Sequence, residues 1–191
     1  MQVTNIVGSG KIGIEFDQEG LIEYIREETG RNDSACKDEG ATEGVEFRFS
    51  REHPRATIHN SGSYIIRAGG LEELIEAHDE FESAMNELEI IQGSLDSFEV
   101  QNVVATHEIE EITNENKELK LNVFLNHVGH ETAEYEPEFF TALIYDSGCG
   151  KVLVYPNGKL VISGAKSVGD VADAVNKVRK NLGLNEQRNL Y

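Results

Sequence analysis

Lys11 closes the run Gly8-Ser-Gly-Lys11, a residue type and spacing that could cradle a phosphate on backbone amides. A working phosphate loop also needs glycine at position 5 and a hydroxyl residue at position 12, where the chain has Asn5 and Ile12. His127 and His130 form an H-x-x-H pair, but the glutamate that a zinc hydrolase places after its first histidine is missing. Cys36 and Cys149 are too few for a disulfide framework or a four-cysteine zinc site. No Ser–His–Asp or Cys–His arrangement is readable, and paired carboxylates carry no signal among 35 acidic residues. These residues ask for no catalysis, metal or cofactor.

Strand alternation says more. With a period of two, Val100, Asn102 and Val104 share one face, as do Leu153 with Tyr155 and Val161 with Ser163. The opposite face takes Val103, Val152 or Val154, Leu160 and Ile162, which suit packing beneath helices. The first face is apolar yet has no evident helix to cover it. A second layer or a dimer interface would explain it. So would a reader of the DNA minor groove, whose smooth floor asks for apolar contact and an amide that bonds base acceptors.

The elements that position these residues occur twice. Val3-Thr-Asn-Ile-Val7 matches Val100-Gln-Asn-Val-Val104 at an offset of about 97. Ile58-His-Asn-Ser-Gly-Ser-Tyr-Ile-Ile66 matches Val154-Tyr-Pro-Asn-Gly-Lys-Leu-Val-Ile162 at an offset of about 96, each a strand, a glycine turn and a strand. Each copy ends in an amphipathic helix. Leu71, Leu74, Ile75, His78, Phe81, Met85 and Leu88 form the stripe of the first. Val168, Val171, Ala172, Val175, Val178 and Leu182 form that of the second, with Ser167 and Asp170 as a capping box and Gly183 as a stop. An earlier helix capped by Asp17 turns Leu21, Ile22 and Ile25 inward. Its counterpart falls within residues 115–130, where 117–124 is ambiguous between helix and strand. Short strands are expected over 45–50, 55–60 and 64–68, and again over 142–146, 151–155 and 159–163. A period this long indicates a duplicated domain, residues 1–92 and 93–191, joined near residues 90–97 by Gly93, Ser94 and Asp96.

Charge is unevenly spread over the 191 residues. The net charge is −18, yet 39% of residues are hydrophobic, too many for a disordered acidic tail. Residues 151–191 carry seven basic and three acidic side chains, a basic island in an acidic chain. Acidity alone argues against a polyanionic partner. With only nine lysines, however, the composition suits a cytoplasm of molar salt, where the Debye length is about 3 Å and repulsion between surfaces is weak. There is no transmembrane-length apolar run and no signal peptide, so a cytoplasmic protein is expected.

Two segments carry a family resemblance. Ala133-Glu-Tyr-Glu-Pro-Glu-Phe-Phe-Thr-Ala-Leu-Ile-Tyr145 and Asn157-Gly-Lys-Leu-Val-Ile-Ser-Gly-Ala-Lys-Ser167 closely resemble the archaeal TATA-binding protein family of halophilic type. The opening strands around Asn5 and Asn102 resemble those of its two repeats. The resemblance implies an α+β saddle of two pseudo-symmetric repeats, a curved antiparallel sheet with helices on the convex face. It implies a transcription initiation factor that binds and bends promoter DNA through the AT-rich minor groove and recruits transcription factor B and RNA polymerase. By resemblance, Asn5 and Asn102 lie mid-site, Val7, Val104, Ile65 and Val161 on the groove floor, and Ser163 beside them. Phe140 and Tyr155 match the wedge pair, and Lys151, Lys159 and Lys166 the phosphate-contacting positions. Glu136 and Glu138 fall where the family meets transcription factor B.

The first repeat departs from the family. An acidic segment, residues 33–44, replaces the Tyr-x-Pro-x-x-Phe stretch, and Thr42 and His59 stand at the wedge positions. Arg67 stands for a small hydroxyl residue, and Ser63 and Gly70 for lysines, while Arg48 and Arg55 keep basic character. The alternative is a divergent paralogue acting as a protein-interaction module or regulator without TATA binding. An enzyme on a similar fold is a third reading. DNA binding requires a neutral or positive rim around Lys159 and Lys166; an enzyme requires a pocket with convergent polar groups.

Overall fold

The computed structural model describes residues 1–38, 44–50, 55–95, 97–115 and 117–184. The chain divides into two compact units, Ile6–Val100 and Met1–Asn5 with Gln101–Tyr191. Strand β1 (Gln2–Lys11) opens the chain, its residues through Asn5 belonging to the second unit.

The first unit continues with α1 (Gln18–Thr29), β2 (Ala35–Lys37), β3 (Val45–Phe47), β4 (Ala56–Ile58), β5 (Ser63–Ala68) and α2 (Leu71–Glu87). Its antiparallel strands run in the order β2-β3-β4-β5-β1. The Asp17 carboxylate accepts from Gly20 N at 2.8 Å and starts α1, which buries Leu21, Ile22 and Ile25 as expected. In α2 the inward stripe is Leu74, Ala77, Phe81 and Met85. Leu71 and Ile75, assigned to that stripe from the sequence, are 42% and 52% exposed. Small Ala77 takes an inward place, and the buried arc is rotated away from Ile75.

Gly8 and Gly10 point into this core. A Cβ on Gly8 would overlap the Phe98 ring, and one on Gly10 would lie 2.5 Å from Tyr64 Oη. The missing side chains make room for Tyr64, Phe98 and His78, with ring centroids 5.9 Å apart for Tyr64–Phe98 and 4.1 Å for His78–Phe98. Tyr64 Oη and His78 Nε2 are hydrogen-bonded at 2.8 Å. Desolvation raises the Tyr64 pKa and lowers that of His78, which favours the neutral form of each ring. Gly8 and Gly10 also sit in the β1–β5 ladder, opposite Ile66 and Tyr64. The glycine spacing thus serves packing rather than phosphate binding.

The second unit contains β6 (Glu99–Glu108, of which Glu99 and Val100 belong to the first unit), α3 (Glu110–Thr113), α4 (Leu121–Val128), β7 (Ala133–Glu134), β8 (Leu143–Asp146), β9 (Lys151–Val154), β10 (Lys159–Ala165) and α5 (Val168–Asn181). The antiparallel order is β6-β10-β9-β8-β7. The ambiguous stretch 117–124 becomes helix only from Leu121, which buries Leu121, Phe124 and Leu125. Ser167 Oγ accepts from Asp170 N at 3.0 Å, the Asp170 carboxylate reaches back to Lys166 N at 3.2 Å, and Gly183 at φ 72° follows the end of α5. Val103, Val152, Val154, Leu160 and Ile162 are fully buried, as are Val171, Val175 and Val178 of α5. Edge strands β2 and β7, three and two residues long, were outside the strand expectations because so short a run has no readable period.

Two polar groups share the covered side of the second unit. Arg179, 3% exposed, makes a bidentate pair with Glu111 at 3.0 and 2.6 Å, which holds the Glu111 pKa down to about 2. His107 is 6% exposed, and neither ring nitrogen has a hydrogen-bond partner among the described residues. Desolvation, then the positive amino terminus and Arg179, push its pKa down to about 4.

Candidate nucleic-acid interface

Opposite the helix-covered face, each unit shows a sheet face of half-buried side chains. In the second unit the β10 ladder sets Val161 opposite Thr106 of β6 and Leu153 of β9, and Leu153 pairs with Ile144 of β8. Neighbouring residues of an antiparallel ladder point the same way, so these four make a band that is apolar but for the Thr106 hydroxyl. Asn102 and Val104 extend it along β6, and Ser163 along β10. All are half-buried, without a covering helix.

A bulge positions the amide in this band. The β10–β6 register shifts between Ile162 and Ala165, and Gly164 there adopts φ 76°, a conformation glycine takes without strain. Its N–H leaves the ladder and donates to Asn102 Oδ1 at 2.8 Å. A backbone donor accepts nothing, so it fixes the carbonyl side of the amide and leaves Asn102 Nδ2 as the free donor end. Asn102 was picked from the sequence, but its orienting partner was not. An isolated glycine inside a strand pattern was the available signal. Asn5 has no hydrogen bond to its side chain among the described residues. Its neighbour Thr4 donates Oγ1 to Val104 O at 3.2 Å.

The band is flanked by cations and by one aromatic pair. Lys151 lies opposite Ser163 and Asp146 in the ladders, and Lys159 opposite Glu108. All three lysines assigned from the sequence are exposed, and Lys166 Nζ also donates to Gln101 O at 2.8 Å. Phe140 and Tyr155 meet edge to face with centroids 6.3 Å apart and planes at 69°. Phe140 is 41% exposed and its neighbour Phe139 83%. The turn that carries them is closed by Phe139 N and Phe140 N donating to Glu136 O at 3.0 and 2.9 Å. Glu136 and Glu138 are exposed on that same turn.

The first unit's open face is built differently. Val7 faces Arg67, Ser9 faces Ile65, and Ile65 pairs with Thr57, which pairs with Glu46. Arg48 is tied to Asp33 at 3.2 Å, and Arg55 is ion-paired with Glu46, whose hydrogen bond raises the arginine pKa further. These two arginines remain on the unit's surface, but acids already offset them. His59 is half-buried. Thr42 lies outside the described residues. Among the described residues no group of His, Cys, Asp and Glu could hold a metal ion. Among the described residues no helix is long and apolar enough to cross a membrane.

An open antiparallel face with a fixed amide, an aromatic pair at one end and lysines around it has the groups that the class of nucleic-acid-binding proteins uses. Comparison with known proteins narrows the class. The family model for transcription factor TFIID, or TATA-binding protein, matches residues 97–183. TATA-box-binding protein C of Halobacterium salinarum is 35% identical over 170 residues, covering 87% of this chain and 88% of the relative. TATA-box-binding protein 3 of Methanosarcina acetivorans is 30% identical over 191 residues, covering 95% and 96%. The solved structure of Methanococcus jannaschii TBP matches at a TM-score of 0.65 and 27% identity, covering 95% of this chain and 97% of that one. The chain belongs to the TATA-binding protein family of transcription initiation factors, with that family's α+β fold.

Proposed function

We propose that the chain binds the minor groove of A·T-rich promoter DNA, bends it, and presents an acidic turn to transcription factor B. The oriented Asn102 amide carries the reading. A·T and T·A pairs offer only acceptors in the minor groove, and G·C adds the guanine amino donor. An amide whose carbonyl is already engaged by Gly164 N offers donors to that floor and meets the guanine amino group donor to donor. Val104, Val161 and Ile65 supply apolar contact, with Asn5, Val7 and Ser163 beside them. Lys151, Lys159 and Lys166 attract phosphates, and Arg48 and Arg55 do so less because acids offset them. Phe140 and Tyr155 enter a base step as an apolar wedge. Glu136 and Glu138 form the contact with transcription factor B, and residues 1–92 and 93–191 are the two repeats. The work is done in the cytoplasm, without chemical turnover.

The test is Asn102→Asp in a mobility-shift assay on an A·T-only duplex. Aspartate keeps the size and still accepts from Gly164 N, but has no donor for the groove. Affinity falls roughly 5- to 150-fold, the range for one lost base-pair contact. Unchanged affinity in a folded variant rejects the reading.

A further inference from the structure

The two open faces differ at a position beside the apolar floor. The offset of about 96 that aligns the hairpins sets Arg67 of β5 where β10 has Ser163, and Ala68 where β10 has the bulge at Gly164. With no bulge, the β1–β5 ladder runs regularly through Ile6↔Ala68 and Val7↔Arg67. Arg67 therefore stands on the open face beside half-buried Val7 and Ile65. It is exposed, and among the described residues its guanidinium makes no hydrogen bond or ion pair. Among the described residues, four other cations of this unit are ion-paired: Arg48 and Arg31 to Asp33, Arg55 to Glu46, and Lys37 to Glu19.

We infer that Arg67 is a base-reading residue that selects A·T pairs in the part of the site served by the first unit. The inference rests on the minor-groove reading above. A guanidinium is all donor, with five N–H groups and no acceptor, and so matches a floor made only of acceptors. It is also drawn to the deep negative potential of a narrow A·T groove. Its position between Val7 and Ile65 places it on the apolar floor rather than among the rim lysines. A serine hydroxyl in this position can accept as well as donate, and tolerates a guanine amino group; Arg67 does not. The departure from a small hydroxyl residue is therefore a change of specificity rather than a loss of contact.

The experiment scans an A·T-only duplex, replacing each pair singly by G·C and by inosine·C, and measures wild type and Arg67→Ser. Inosine lacks the guanine amino group and presents an A·T-like minor groove. Wild type loses roughly 5- to 150-fold affinity where G·C enters the Arg67 subsite, and inosine·C restores it. Arg67→Ser erases that penalty there and keeps the penalty at the pairs read by Asn102. A uniform loss across all duplexes with a shallower salt dependence makes Arg67 a phosphate contact and overturns the inference, leaving the groove reading intact. An unchanged scan in Arg67→Ser also overturns it. A wild-type protein that binds no duplex overturns the groove reading and this inference together.

Discussion

At the scale of the residue, the proposed contacts and the packed core occupy opposite faces of the same strands. Asn102 and His107 lie five apart on β6, so one faces the open side and the other the core. Buried His107 is kept neutral, which has a consequence for pH. Above about 6.5 it is neutral in both folded and unfolded chains. Between about 6.5 and about 4 the unfolded chain takes up a proton that the folded chain refuses, so stability falls as pH falls through that window. Glu111 acts lower: its folded pKa of about 2 lies below the ordinary 4.5, so its stabilisation is complete above 4.5 and is lost as pH drops toward about 2. The two are thus separable. His107→Phe, measured by denaturant unfolding, loses less stability than wild type between pH 7 and pH 5. An equal loss in both proteins shows that His107 does not set the slope.

At the scale of the element, much was legible because periodicity encodes it. The paired Val-x-Asn-x-Val strands, the glycine-turn hairpins and the caps at Asp17 and Ser167 all stand in the structure where their residue types place them. Three features were hidden. Edge strands β2 and β7 are too short for a pattern. The stripe of α2 depended on whether Ala77 or Ile75 turned inward, which only packing decides. The hold of Gly164 on Asn102 is a long-range hydrogen bond; the isolated glycine in a strand pattern marks the bulge but not its partner. The aromatic turn before β8 carries a prediction of its own. Phe140 sits exposed against Tyr155, with the flat apolar bulk that enters a base step, while His59 is half-buried and polar. Phe140→Ala reduces both affinity and bending, and His59→Ala changes either only slightly. Fluorescence transfer across end-labelled duplexes reads the bend; equal effects of the two substitutions contradict this division of labour.

At the scale of the whole molecule, the question is how a chain of net charge −18 engages a polyanion. Apolar burial, screened repulsion and local cation placement answer it together. Molar salt shortens the Debye length to about 3 Å and removes the repulsion, while contact between an apolar sheet face and a groove floor is not lost to screening. The cations that remain are few or already ion-paired, as at Arg48 and Arg55. Few counterions are then released on binding, so the salt dependence is shallow. A basic protein that neutralises 6–10 phosphates loses about 10³–10⁵ in affinity between 50 and 200 mM salt. The most direct measurement is a titration of binding to an A·T-only duplex from low to multi-molar KCl, with a G·C-only duplex alongside. The expected result is A·T-selective binding that persists into molar KCl with a slope well below that of a basic protein. A steep loss of affinity with added salt, or equal affinity for the two duplexes, contradicts it.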